Sequence, residues 1–196
     1  MNNIRIIGVA GTNGSGKDTV GKILASEHNY LFISVTELLR AECRRRGLPV
    51  EREHLRTISA EWRRKEGLGV LCERSIAEYK KVQDKYNGVV MASLRNPGEA
   101  DSVHQHDGIV LWIDANPKTR YDRIQMNAVT RGRAEEDNKS FEQFLAEEEA
   151  EMHASGDAAT LDMASVKAKA DIFISNDGND LTLFQQDIEQ ALNLQT

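Results

Sequence analysis

Cysteine, proline and aromatic side chains are all scarce in this sequence. Among its 196 residues are 2 cysteines and 3 prolines, and the aromatic fraction is 6%. Cys43 and Cys72 show neither the spacing of a zinc site nor a disulfide framework. The composition therefore excludes a small disulfide-stabilised secreted domain, and we expect a protein of the reducing cytoplasm.

An excess of positive charge and long hydrophobic runs are lacking as well. The formal net charge is −6, which argues against nonspecific binding to nucleic acid. The apolar run near the N-terminus is interrupted by Arg5 and Gly8 and is too short to cross a bilayer. We therefore expect a small-molecule partner, and neither nucleic acid nor a membrane. Nothing in the composition indicates the oligomeric state.

Short apolar runs alternate with helical patterns along the chain. The runs predict strands at 4–10, 30–34, 88–93, 109–114 and 172–175. Helical patterns lie near 15–27, 36–46, 54–81, 98–105, 117–127, 139–153 and 180–193. This order is typical of an α/β fold with a five-stranded parallel sheet covered on both faces, here in a single domain over residues 1–196. Ligands of such sheets bind at the carboxyl ends of the strands.

Three charged segments are interpreted as solvent-facing helix surface. Residues 50–81 have few bulky apolar positions, which predicts a poorly buried helical arm that moves over the site. The arginines at 44–46 precede Gly47 and fit a solvated helix end. The acidic run 147–151 fits a solvated helix face.

A glycine-rich phosphate loop directly follows the first predicted strand. Residues 11–19 read Gly-Thr-Asn-Gly-Ser-Gly-Lys-Asp-Thr, in which backbone N–H groups and a helix N-terminus can cradle phosphates. The lysine of this Gly-x4-Gly-Lys spacing supplies a cation for the outer phosphates of a nucleoside triphosphate. The predicted nucleotide-binding residues of the loop are Gly11, Asn13, Gly14, Ser15, Gly16, Lys17, Asp18 and Thr19.

The residue after the lysine departs from the usual pattern. Asp18 stands where a Ser or Thr commonly binds Mg²⁺, and the hydroxyl group follows one residue later at Thr19. Asp18 could reach the metal through water or cap the first helical turn, and both alternatives stay open. Asp18 and Thr19 are the predicted Mg²⁺ ligands.

The segment after the second strand resembles the adenylate kinase family of nucleoside monophosphate kinases. Those proteins carry Ser-Thr-Gly-Asp-x-Leu-Arg there, and Ser34, Leu39 and Arg40 match that pattern. The resemblance implies that Ser34 and Arg40 bind the phosphate of an acceptor. An exposed arginine that pairs with Glu37 or Glu42 is the alternative.

The segment after the third strand carries a second part of this resemblance. Arg95, Pro97 and Glu99 resemble the Arg-x-Pro-x-Glu pattern of small archaeal and phage nucleotide kinases, which makes Arg95 a catalytic and acceptor-binding candidate. Ala92 and Ser93 occupy the positions of an Asp-Gly pair in that family. The missing aspartate normally organises the water shell of the metal.

The later motifs fit the same family layout. Arg123, Arg131 and Arg133 resemble the arginines that close over the transferred phosphoryl group, the last two on a lid at 128–138. Asn176 and Gly178 resemble the Asn-x-Gly turn that lines the adenine pocket. Arg123 could instead pair with carboxylates along its own helix.

Taken together, the resemblance implies a three-layer P-loop NTPase fold with an acceptor-binding helical arm at 36–81. It implies an ATP- and Mg²⁺-dependent kinase whose acceptor is a nucleoside or deoxynucleoside monophosphate, with Lys17 among the catalytic residues. Dephospho-coenzyme A kinase shares the loop and fold, but its hydroxyl acceptor needs an aspartate base after the second strand, and Glu37 is the nearest substitute here. A regulator that binds ATP without transfer, or a slow ATPase coupled to a partner, is a further alternative.

Overall fold

Five parallel strands form one sheet in the order β2-β3-β1-β4-β5. The computed structural model describes residues 5–127, 139–153 and 156–194. The strands are β1 (Ile6–Gly11), β2 (Tyr30–Ser34), β3 (Gly88–Ala92), β4 (Ile109–Asp114) and β5 (Ile172–Ser175). Their positions and parallel pairing confirm the α/β class and the five-stranded sheet expected from the sequence.

Nine α-helices surround the sheet within the described part of the chain. They are α1 (Lys17–His28), α2 (Val35–Arg45), α3 (Arg52–Glu66), α4 (Val70–Lys80), α5 (Pro97–Gln105), α6 (Pro117–Met126), α7 (Phe141–Met152), α8 (Met163–Ala168) and α9 (Leu181–Ala191). None of the helices in these ranges is both long and apolar enough to cross a membrane.

The sheet separates two hydrophobic layers because successive strand residues point to opposite faces. On one face, Val9 and Leu111 pack with residues of α1 and α9, such as Leu24 and Ile188. On the other face, Trp112 and its neighbours pack with residues of α2, α3, α4, α5 and α8. These layers confirm the three-layer arrangement of helix, sheet and helix.

The prediction of one poorly buried helix at 54–81 is wrong in two respects. The segment forms two helices, because Gly67 has a φ of +105°, which ends α3 and is unfavourable for other residues. Ile58 and Trp62 of α3 and Leu71 and Ile76 of α4 are buried in the core. Because these apolar residues are few, the sequence did not reveal the narrow apolar face that they form against the rest of the layer. Helix α8 was not expected at all, since it has only six residues.

A buried ion pair joins α3 to the start of α5. The Arg63 guanidinium donates to Glu99 Oε1 at 2.6 Å, and the side chains of the two residues are 2% and 0% exposed. The second oxygen of Glu99 accepts the backbone N–H groups of Arg95 and Asn96 at 2.7 and 3.2 Å. This carboxylate therefore fixes both α3 and the segment that follows β3.

Replacing Glu99 with alanine is expected to lower the free energy of unfolding by about 3–5 kcal/mol, because it leaves a buried arginine without a counter-charge. Urea denaturation measures this loss. The control is Glu78→Ala, which removes an exposed pair with Lys81 and should cost less than about 1 kcal/mol. Equal, small losses for the two variants would contradict a structural role for the Arg63–Glu99 pair.

Candidate nucleotide-binding cleft

The phosphate loop lies between the end of β1 and the start of α1, as the sequence predicts. Gly11 closes the strand with a φ of +139°, and a Cβ atom there would lie 1.9 Å from the carbonyl oxygen of Ile113. Only glycine fits this close approach between neighbouring strands. Two residues of the loop, Gly11 and Ser15, are buried, so they support its shape.

Side chains from three other elements hold the loop in place. Thr12 Oγ1 donates to Asp114 Oδ1 at 2.7 Å, and Asn176 Nδ2 donates to the carbonyl oxygen of Ser15 at 2.8 Å. The buried Arg120 reaches the carbonyl oxygen of Asn13 at 3.3 Å. Sequence reasoning missed Asp114 and Arg120 as supports of the loop, although Asp114 stands at the carboxyl end of β4, where ligand-binding residues of parallel sheets gather.

Lys17 is buried at the base of the loop, where its ammonium group donates to the carbonyl oxygen of Thr12. Burial and then the nearby Arg95 lower the pKa of Lys17 to about 7, although the carboxylates of Asp18 and Glu151 act in the opposite direction. Burial thus disfavours the charged form of Lys17 in the free protein, and an anionic ligand would restore it.

A cleft of about 770 Å³ opens beside the loop. It runs from the loop and the turn after β5 to α2, α3 and the segment after β3. The structure brings most of the predicted site residues to its wall: Asn13, Gly14, Gly16, Lys17, Asp18, Thr19, Ser34, Arg40, Arg95, Arg123, Asn176 and Gly178.

Arg123 holds the turn after β5. Its guanidinium donates to the carbonyl oxygens of Asn176, at 2.8 Å, and Gly178. These bonds occupy the group that the resemblance assigned to the transferred phosphoryl group. Arg123 therefore supports the predicted adenine turn in this structure, and its assignment to the transferred phosphoryl group stays a prediction.

Arg40 of α2 lines the cleft. It also pairs with Glu37, which was the alternative to a role in binding the acceptor phosphate. Its Nε atom is buried and has no hydrogen-bond partner. Glu37 also accepts from Arg44 at 3.3 Å. Arg40 therefore both pairs with Glu37 and lines the cleft.

Arg95 enters the cleft from the segment after β3. This segment turns at Ser93, which has a φ of +78°, so the serine adopts the backbone conformation for which the related kinases carry glycine. Arg95 Nη1 donates to Glu151 Oε2 at 2.8 Å. Ala92 is completely buried and offers no oxygen to a metal.

Helix α3 contributes three cleft arginines that sequence reasoning missed. Arg52, Arg56 and Arg63 all line the cleft. Their spacing of four and seven residues places them on one face of a helix, and that periodicity was the signal available in the sequence. It was obscured because charged residues occur on the other faces of α3 as well.

The acidic run of α7 is not the solvated face that the sequence suggested. Glu147 pairs with Arg52 at 3.1 Å, Glu148 pairs with Arg120, and Glu151 pairs with Arg56 and Arg95 at 2.9 and 2.8 Å. Only the intervening Glu149 is strongly exposed, at 75%. The pattern of hydrophobic residues could not predict the packing of α7, because ion pairs between opposite charges hold this helix in place.

The cleft offers hard oxygen ligands suited to Mg²⁺. The carboxylate of Asp18 and the hydroxyl group of Thr19 both lie in its wall. Among the described residues, no group of three or more His, Cys, Asp or Glu side chains could hold a metal unaided. This donor set fits a magnesium ion that takes its remaining ligands from phosphate and water. The predicted lid residues Arg131 and Arg133 lie outside the described residues.

Binding of MgATP at pH 8 is expected to take up about 0.5–0.9 proton, because the phosphates restore the charge of a lysine that is largely neutral in the free protein. Isothermal titration calorimetry in buffers of different ionisation enthalpy measures this uptake. The control is Lys22→Ala, which removes an exposed cleft lysine and should leave the uptake unchanged. Binding without proton uptake would show that Lys17 is already charged.

Comparison with known proteins indicates the family to which this chain belongs. The profile of the AAA domain family (AAA_18) matches residues 7–152. A UPF0200 protein of Pyrobaculum aerophilum is 30% identical over 191 residues, which cover 96% of this chain and 97% of that protein. A UPF0200 protein of Pyrococcus abyssi is 29% identical and covers 94% and 93% of the two chains.

Solved structures of small kinases share the fold. The shikimate kinase of Bacteroides thetaiotaomicron superposes with a TM-score of 0.59 at 16% identity, covering 97% of this chain and 99% of its own. A gluconokinase of Sinorhizobium meliloti gives a TM-score of 0.52 at 15% identity, with coverages of 98% and 94%. The chain therefore belongs to the UPF0200 family and has an AAA-type P-loop domain with the fold of small P-loop kinases.

Proposed function

We propose that this protein is an ATP- and Mg²⁺-dependent phosphotransferase whose acceptor is a small molecule that carries a phosphate group. Nucleoside and deoxynucleoside monophosphates are the first candidates. The observation that carries the proposal is that one cleft is lined both by a phosphate loop and by three further cations, Arg40, Arg56 and Arg95. Two polyanions can approach each other only where cations offset their repulsion.

The surroundings of β2 favour a phosphate acceptor over a hydroxyl acceptor. A hydroxyl group must lose a proton to a base, whereas a phosphate monoester is already ionised at neutral pH. Glu37 is the nearest carboxylate after β2, and it is bound in ion pairs with Arg40 and Arg44. Its two oxygens are occupied by these arginines, so Glu37 is a weaker candidate base than a free carboxylate.

Catalysis in this cleft consists of positioning and electrostatic stabilisation. Lys17 and the N–H groups of the loop hold the donor phosphates, while Arg40 and Arg95 orient the acceptor. Bound Mg²⁺, held near Asp18 and Thr19, would neutralise charge on the phosphates. Arg131 and Arg133 are assigned to the transferred group by the resemblance alone.

A protein that binds ATP but transfers nothing is the second candidate. It is favoured by Ala92, which stands at the end of β3 where related kinases carry an aspartate. The loop, Lys17 and the adenine turn would serve either function equally. Measurement of transfer, and not of ATP binding, therefore separates the two.

ADP release with MgATP should be stimulated by one nucleoside or deoxynucleoside monophosphate in a panel of the common ones. Dephospho-coenzyme A, shikimate and gluconate belong in the same panel, since the neighbours in fold include a shikimate kinase with shikimate bound and a gluconokinase. Stimulation only by one of these three would overturn the phosphate acceptor. Silence across the panel, with ATP binding confirmed by calorimetry, would favour the regulator.

With the acceptor identified, Arg95→Ala should lower kcat/KM for the acceptor by about 10- to 100-fold, because it removes a charge-assisted hydrogen bond to phosphate. The Kd for ATP should stay within about twofold. The matched control is Arg45→Ala, whose guanidinium pairs with Glu42 outside the cleft and whose loss should change neither value. An equal loss of ATP affinity in Arg95→Ala would contradict the acceptor assignment.

A further inference from the structure

Glu151 bridges two arginines that belong to different parts of the cleft. Its Oε1 atom accepts from Arg56 of α3 at 2.9 Å, and its Oε2 atom accepts from Arg95 of the segment after β3 at 2.8 Å. Two guanidinium groups that converge on two oxygens of one anion form the arrangement by which arginines bind phosphate. The carboxylate thus occupies a position suited to an anionic ligand.

The position of Glu151 is set by a ladder of charges between two helices. Arg52 and Arg56 are four residues apart on α3, and their partners Glu147 and Glu151 are four residues apart on α7. The matched spacing brings each carboxylate opposite one guanidinium. At its other end, α7 is anchored by the buried Phe144, whose ring lies 5.8 Å from that of Tyr121 on α6.

The pairs of Glu151 differ from the buried pair of Arg63 and Glu99. The side chains of Arg56 and Arg95 are 51% and 30% exposed and that of Glu151 is 15% exposed, whereas those of Arg63 and Glu99 are almost completely buried. Ion pairs that water reaches are weak and exchange with other ions, while breaking a buried pair leaves an uncompensated charge. Arg56 and Arg95 can therefore release their carboxylate, and Arg63 cannot.

The electrostatic surroundings connect Glu151 to the phosphate loop. Burial by itself would raise the pKa of Glu151, but Arg95, followed by Arg56 and Arg52, lowers it, so the group is an anion at neutral pH. Glu151 and Arg95 also act in opposite directions on the pKa of Lys17. Lys17, Arg56, Arg95 and Glu151 line the same cleft, so an anion bound by the two arginines would share it with the donor phosphates.

We propose that Arg56 and Arg95 form an anion subsite for the phosphate of the acceptor, and that Glu151 fills this subsite until the acceptor displaces it. The proposal rests on the proposed function for the identity of the ligand as an acceptor. It adds Arg56 to the binding residues and makes Glu151 a determinant of specificity. A phosphate dianion competes with the single charge of Glu151 better than an acceptor that brings one carboxylate.

Calorimetric titration with inorganic phosphate tests the subsite without any catalytic step. The phosphate loop is first filled with a nonhydrolysable ATP analogue and Mg²⁺, so that added phosphate meets only the remaining site. Glu151→Gln should bind phosphate about tenfold more tightly than the unaltered protein, and the further change Arg56→Ala should abolish this gain. Glu149→Gln, a change on the same helix at an exposed carboxylate, should have no effect.

Unchanged or weaker phosphate binding by Glu151→Gln would overturn the proposal, as would a gain that survives the loss of Arg56. Near-ultraviolet circular dichroism establishes that each variant is folded. If Glu151→Gln does not fold, Glu151→Asp replaces it, since the shorter carboxylate cannot bridge both arginines and should also tighten phosphate binding. Tighter binding in a protein that is inactive on every acceptor would support the subsite and refute the kinase.

Discussion

Guanidinium groups gathered around one cleft repel each other, and the fold must place carboxylates close enough to balance them. Two like charges 4 Å apart oppose each other by about 4 kcal/mol at an effective dielectric constant of 20. Glu99 supplies this balance in the core, and Glu147 and Glu151 supply it at the mouth of the cleft. The docking of α3, α5 and α7 thus depends on the charges that make the cleft attractive to phosphates.

The parallel sheet determines where these charges meet. The carboxyl ends of β1, β2, β3 and β4 lie at one edge, so the segments that follow them converge there. Asp114 and Asn176 brace the phosphate loop from the neighbouring strand ends. The phosphate loop and the arginines of the cleft consequently meet at one edge of the sheet, where α7 contributes the carboxylates of Glu147 and Glu151.

The strands and the phosphate loop could be predicted from the sequence because their signals are local. Continuous apolar runs and the Gly-x4-Gly-Lys spacing each indicate their structure without reference to distant residues. The burial of α4 and the docking of α7 could not be predicted in this way. A run of glutamates such as 147–151 looks the same whether it faces water or arginines on another helix. The contacts of Arg123 could not be predicted for a similar reason, since its partners are backbone carbonyls 53 and 55 residues away.

The central claim is that the acceptor phosphate and Glu151 compete for the same arginines. A crystal structure of the unaltered protein with a nonhydrolysable ATP analogue, Mg²⁺ and the acceptor monophosphate tests it most directly. The account predicts phosphate oxygens within hydrogen-bond distance of Arg56 and Arg95, with the Glu151 carboxylate withdrawn from both. An acceptor bound elsewhere, with both Glu151 pairs intact, would contradict it.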